Sequence, residues 1–241
     1  MRWRVTTPVT DARNKARDLL RRLGRTYAQE AGIDLTDKPG PLYQLLVLTT
    51  LLSTRIRAGV GVAAARELFA AGYTTAAAMA AASWQDRVDA LGRGHYRRYD
   101  ERTATMLGEA AQLCLHRWHG DLRGLNHRAD GDLTALRREL TAFPGIGPTG
   151  ADIFLREVQA VWPRVRPFVD RRAAAGARRV GLPTDGRHLA DLVDPEGFPP
   201  LVSALVRVDL ADGLRSADRL VRTGFGEEPH RHTGRHGEED Q

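Results

Sequence analysis

The 241-residue sequence holds one cysteine, Cys114. A lone thiol closes no intramolecular disulfide and cannot supply a four-cysteine metal or iron–sulfur site. Lysine is almost as scarce: Lys15 and Lys38 are the only two, so nearly all of the 36 basic residues are arginines. Chemistry that needs a lysine amine has those two positions to draw on. No apolar run approaches the roughly 20 residues that cross a bilayer, and the opening MRWRVTTPVTD has no signal-peptide core, so a cytosolic protein is expected. Nor does any useful length alternate apolar and polar residues with the period of two that a half-buried strand needs. The fold class read from these absences is all-α.

What is present is basic and helical. Thirty-six Lys and Arg against 30 Asp and Glu leave a net charge of +6, a modest excess that favours a polyanionic partner. Thr10 or Asp11 is positioned to cap a first helix, with Ala12, Ala16, Leu19, Leu20, Leu23 and Tyr27 on one face. Its other face carries Arg13, Arg17, Arg21 and Arg22, either a solvated stripe or a contact for a polyanion. Residues 34–41 form a linker in which Pro39 and Gly40 act as breakers and Pro41 opens the next helix. There, Leu42, Leu45, Leu46, Leu48, Leu51 and Leu52 are apolar on more than one side, as suits a central place in a bundle, and the helix ends at the Ser53-Thr54-Arg55-Ile56-Arg57 corner. Helices are further expected near residues 60–71, 75–82, 84–91 and 99–119, with Asp132 starting another. Four more are expected near 171–180, 187–193, 198–211 and 214–221. From Gly224 onward the composition is that of a disordered tail, set apart as residues 226–241, in which His230, His232 and His236 have no fold to order them around a metal.

The densest signal lies between Leu140 and Leu182. Phe143-Pro144-Gly145-Ile146-Gly147-Pro148 sets a glycine-spaced apolar turn between two helical patterns: Gly145 and Gly147 accept the unusual backbone angles of a tight hairpin and Ile146 plugs it down. With no large side chain over the turn, the backbone N–H groups at Gly145, Ile146, Gly147, Thr149 and Gly150, together with the start of the next helix, are expected to be open to a phosphate. About two dozen residues on, Val169-Asp170-Arg171 places a carboxylate at a helix start.

Hairpin and later aspartate together resemble the helix-hairpin-helix-GPD superfamily of DNA base-excision glycosylases, most closely its endonuclease III branch. Two weaker matches lie upstream, Leu51-Leu52-Ser53-Thr54-Arg55 and the Gly92–Leu107 segment, so the resemblance spans about 42–182. It implies a two-domain helical fold: a six-helix bundle over residues 41–162, a second domain from residues 1–40 plus 163–225, and a lesion cleft between them. It also implies a monomer acting on double-stranded DNA with a modified or damaged base, associated with the nucleoid. The missing cysteines depart from the branch's C-terminal iron–sulfur cluster; no metal and no cofactor are expected.

The same resemblance assigns roles. A fixed carboxylate beside C1′ stabilises the positive charge that builds on the sugar as the base leaves, and orients or deprotonates a water; Asp170 matches that position, though an N-cap alone is the other reading of an aspartate there. Bifunctional relatives carry a nucleophilic lysine where this chain has Thr149, whose hydroxyl forms no imine, so a monofunctional hydrolase is expected. Arg55 matches the wedge that fills the gap left by a flipped base, or else binds phosphate at a helix end, with Arg57 and Arg171 as further DNA contacts. Tyr96, Tyr99 and His95 are candidates for the base pocket, with Trp84 and Trp162 as further aromatics that either stack on a base or belong to the core; the Gly92–Tyr99 segment itself reads as a DNA-facing loop or a solvated turn. Cys114, between Leu113 and Leu115, reads as a buried structural residue. The alternative functions left open are a non-catalytic helix-hairpin-helix DNA clamp and an interaction module of a larger repair complex.

Overall fold

The computed structural model describes the backbone of residues 8–223 and the side chains of residues 10–211; the three tail histidines lie outside this range. Every regular element among the described residues is helical. The chain divides into two compact units, Met1–Asp209 and Leu210–Gln241. In order, the helices are α1 (Pro8–Leu23), α2 (Tyr27–Glu30), α3 (Pro39–Leu52), α4 (Ala58–Ala70), α5 (Ala76–Ala81), α6 (Trp84–Arg93), α7 (Asp100–Trp118), α8 (Arg123–Ala129), α9 (Leu133–Thr141), α10 (Pro148–Val158), α11 (Arg171–Arg179), α12 (Gly186–Ala190) and α13 (Phe198–Thr223).

Helix α3 is the axis of the first unit. Leu42, Tyr43, Leu45, Leu46, Val47, Leu48 and Leu51 are all buried, so it hides every side of its cylinder, and α4, α7 and α10 pack around it. Each such leucine contributes about 2 kcal/mol relative to exposure, which is why an all-round apolar helix takes the middle of a bundle. The amphipathic helices start on side-chain caps. Thr26, Thr75, Ser83, Asp132, Asp170 and Asp185 each accept backbone N–H bonds from the first turn that follows, and Thr26 and Ser83 complete reciprocal capping boxes.

Five features differ from the sequence expectation. Tyr27 is not on the first helix: α1 stops at Leu23, and Tyr27 opens α2 behind the Thr26 cap. Pro39 is no breaker but the first residue of α3, where its missing N–H has no helical partner to lose. The last two expected helices are one, α13, because Asp212-Gly213 is a tolerated interruption. The expected 187–193 helix is the shorter α12, whose start is set by Asp185 accepting from the His188 N–H. Helix α8, with its apolar side only Leu125 and Ala129, was not anticipated at all.

Candidate nucleic-acid interface and carboxylate site

Helices α9 and α10, joined by the 142–147 turn, form the helix-hairpin-helix. Gly145 sits at φ +83°, and a Cβ there would stand 3.0 Å from the Thr50 side chain and 3.2 Å from Met106 Sδ, so conformation and space both call for glycine. Ile146 is buried and its N–H donates to the Phe143 carbonyl at 3.0 Å, which closes the turn. Gly147 is the N-cap of α10 and has no side chain to cap it, while Gly147, Pro148 and Thr149 are exposed. The Gly147 and Thr149 N–H groups, at the start of an eleven-residue helix, therefore lie on exposed residues with the positive end of its dipole behind them, whereas Pro148 has no N–H, Gly150 is buried and the Ile146 N–H is already used within the turn.

Two further segments are fixed against this hairpin. A Cβ on Gly150 would come within 2.6 Å of Ser53 Oγ, so the start of α10 lies directly on the corner that ends α3. That corner presents Arg55 and Arg57, both exposed and neither holding an ion pair or side-chain hydrogen bond among the described residues. On its other side, the Tyr96 hydroxyl hydrogen-bonds Thr54 Oγ1 at 2.9 Å and Thr103 Oγ1 at 3.3 Å. Tyr96 thereby ties the 94–99 loop to the corner. Gly94 lets this loop in: a Cβ there would meet the Ala64 backbone at 2.4 Å. The loop carries exposed His95, in the left-handed region at φ +60°, and exposed Arg97 and Arg98, the latter over the Tyr99 ring at 5.3 Å. The hairpin and the 94–99 loop are thus both fixed against the corner, and Arg55, Arg57, Arg97 and Arg98 have no carboxylate partner among the described residues. Elsewhere arginines are commonly paired: Arg21 and Arg22 with Asp18, Arg93 with Glu67, Arg137 with Asp152.

Asp170 differs from these residues in character. It is the N-cap of α11, and its Oδ1 accepts the Arg172 N–H at 2.8 Å and the Ala173 N–H at 2.9 Å. Its Oδ2 accepts from Arg156 Nη1, and both side chains are 4% exposed. The approach to the cap is held by Gln159, a fully buried amide on the end of α10. Gln159 Oε1 accepts the Phe168 N–H at 2.9 Å and Nε2 donates to the Phe168 carbonyl at 3.1 Å. Thr149 and Arg156 are seven residues apart on α10, within about 20° of one face and about 10 Å along the axis. The arginine therefore reaches Asp170 from the helix face that carries Thr149.

Around this pair, α10 is anchored by a second buried charge. Glu157 Oε2 accepts the Ala28 N–H at 2.9 Å and Oε1 accepts Ser203 Oγ at 3.2 Å, and Arg156 Nε lies 3.9 Å from the same carboxylate with no hydrogen bond of its own. Tyr27 lies beneath two guanidiniums, with Arg207 at 4.4 Å and Arg156 at 5.8 Å; burial pushes its phenol up and the two arginines pull it back down.

The remaining sequence candidates scatter. Tyr96 has no exposed surface on which a base could stack, a correction that follows from its ring lying in the core with its hydroxyl on two threonines. Tyr99 is half-buried, and Arg171 is exposed on the first turn of α11 without a side-chain partner among the described residues. Trp162 is buried against Phe154 and donates from Nε1 to Asp37 at 2.9 Å, whereas Trp84 is 42% exposed. Cys114 is buried, its thiol pushed up to about 12. Among the described residues no group of three or more His, Cys, Asp or Glu is placed to hold a metal ion.

No protein-family model matches this chain, and no curated protein matches it. The chain is similar to a solved structure of a trapped endonuclease III–DNA covalent intermediate, an estranged-adenine complex. The likeness covers 83% of this chain and 85% of that one, at 16% identity and a TM-score of 0.46.

Sequence reasoning missed Arg156, Glu157 and Gln159. The signal was in the run Ile153-Phe154-Leu155-Arg156-Glu157-Val158, where adjacent opposite charges interrupt an apolar stretch. Charges in such a place are buried only when paired.

Proposed function

We propose that this chain binds double-stranded DNA as a monomer and hydrolyses the N-glycosidic bond of a flipped, modified base, leaving an abasic site. The observation that carries the reading is Asp170, a carboxylate oriented by two helix N–H groups and a guanidinium on the hairpin helix. In the reaction the C1′–N bond breaks and the base leaves with its electron pair, to be protonated by solvent. Positive charge builds on the sugar ring, which a fixed carboxylate stabilises, and a water adds to C1′ as the carboxylate takes its proton. The hairpin amides with Arg55 and Arg57 supply a sequence-independent grip on phosphates. Thr149 has no amine, so no Schiff base forms there and strand cleavage does not follow base release.

A second reading, a DNA clamp without catalysis, is favoured by one observation: Asp170 is 4% exposed, and both of its oxygens already have partners. One assay separates the two. The protein and its Asp170→Asn variant are incubated with duplexes each carrying one labelled modified base, and abasic sites are read by alkali-dependent cleavage. Release from one duplex, lost in Asp170→Asn and giving no borohydride cross-link, supports the hydrolase; tight binding to every duplex without release refutes it.

A further inference from the structure

We propose that Arg156 is a positioning residue for the reaction, holding the Asp170 carboxylate at its working angle; this rests on the glycosylase reading above. The argument begins with the other aspartate caps. Asp132 and Asp185 cap α9 and α12 from exposed positions, with no buried cation behind them among the described residues. Capping alone therefore asks for no arginine. At Asp170 the same cap is combined with a guanidinium that is itself 4% exposed. Taking two charges out of water costs several kcal/mol per ion, and an apolar pair of similar bulk serves packing as well or better. The arginine is also left imperfectly satisfied, because Nε is buried without a hydrogen bond. What the pair does achieve is a definite orientation. Oδ1 is turned to the Arg172 and Ala173 amides, Oδ2 is held by Nη1, and Gln159 clamps the Phe168 backbone two residues earlier.

The orientation is referred to α10, the helix whose first turn faces the DNA surface. Glu157, beside Arg156, binds the Ala28 N–H and Ser203, so the stretch of α10 that carries the arginine is itself fixed to α2 and α13. A single rigid helix thus connects the phosphate grip at Gly147–Gly150 with the carboxylate at Asp170. Arg156 is the side chain through which that connection reaches the reacting group. Its positive charge works against the electrostatic help that Asp170 gives a cationic sugar, so the contribution assigned to it is geometry, and turnover is where it is felt.

The test compares wild type, Arg156→Met, which keeps bulk without charge, and Arg156→Lys, which keeps charge without the planar fork. Three quantities are read on each: duplex affinity, single-turnover base release, and hydrogen exchange of the Arg172 and Ala173 amides relative to the Thr134 amide, which Asp132 caps independently. We expect duplex affinity within about twofold of wild type, because no phosphate contact is touched. Exchange at Arg172 and Ala173 should quicken about tenfold in Arg156→Met, the equivalent of one lost hydrogen bond. Base release should fall about a hundredfold, as for a misplaced catalytic group, with Arg156→Lys in between. Unchanged exchange at Arg172 and Ala173 overturns the proposal, as does a loss confined to affinity. A rise in turnover also overturns it, making the arginine a brake. Should Arg156→Met fail to fold, Arg156→Lys carries the same comparison. A wild type that releases no base from any duplex defeats the glycosylase reading instead, and the exchange rates still decide whether Arg156 holds Asp170.

Discussion

Gly176 is where the carboxylate's helix comes close to the backbone of its neighbour, and alanine there should destabilise the protein by about 2–3 kcal/mol, the upper part of the range of about 1–3 kcal/mol usual for overpacking a fixed core. A Cβ on Gly176 would lie 1.9 Å from the Leu205 carbonyl oxygen and 2.7 Å from its carbonyl carbon. These are backbone atoms of α13 and cannot rotate away. Ordinary contact begins near 3.4 Å, so α11 and α13 must part by about 1.5 Å, a gap that forfeits much of the dispersion energy along the contact. Ala173, about one turn before it, and Ala177, the next residue, are both fully buried and are disturbed with it. Against this stands the better helix propensity of alanine, worth up to about 1 kcal/mol and already allowed for in the net figure. Gly92 is the matched control: it is also helical, but a Cβ there meets nothing within 4 Å. Gly92→Ala should therefore stabilise by about 0.5–1 kcal/mol. Urea unfolding measures both. With a slope near 2 kcal/mol/M, the Gly176→Ala midpoint should fall by about 1 M and the Gly92→Ala midpoint should rise slightly. Equal midpoints for Gly176→Ala and wild type, or a matching fall in both variants, would refute the close approach of the two helices.

Arg55→Ala and Arg57→Ala should each weaken binding of any duplex and reduce the slope of log affinity against log salt by about 1, read by fluorescence titration over a range of salt; an unchanged slope removes that arginine from the phosphate contacts. Alkaline stability tests the interior. The Cys114 thiol is raised from 9.0 to about 12 by burial. The folded state thus keeps a proton that the unfolded state gives up, so the contribution is whole below pH 9 and is lost as pH rises toward 12. Between pH 9 and 10 the fall belongs to Cys114 at up to about 1.4 kcal/mol per pH unit, and Cys114→Ala should flatten it. Above pH 10, Tyr43 and Tyr27, both raised by burial, add to it. A slope that survives in Cys114→Ala would show that the thiol is not the group responsible.

The unequal legibility of this chain has a physical pattern. Local rules were enough wherever a short stretch determines its own shape. The Gly145-Ile146-Gly147 turn, the caps at Asp132 and Asp170, and the all-round apolar α3 follow from residues within a few positions of one another. Interruptions were harder to judge from sequence, because whether Asp212-Gly213 breaks a helix depends on energies of about 1 kcal/mol that context outweighs. Least legible were the long-range partners: Arg156 with Asp170, Glu157 with Ala28 and Ser203, Tyr96 with Thr54, and Trp162 with Asp37. Tyr96 shows why. In sequence it stands in a basic, aromatic loop and reads as a surface that could meet a base, yet its neighbour Gly94 lets the backbone press on Ala64 and turns the ring inward. Its hydroxyl then holds the corner that bears Arg55. The residue that seemed to belong to the ligand instead belongs to the frame. Around a candidate site, the partners of polar residues inside an apolar run lie across the fold, and they have to be known before a role is assigned.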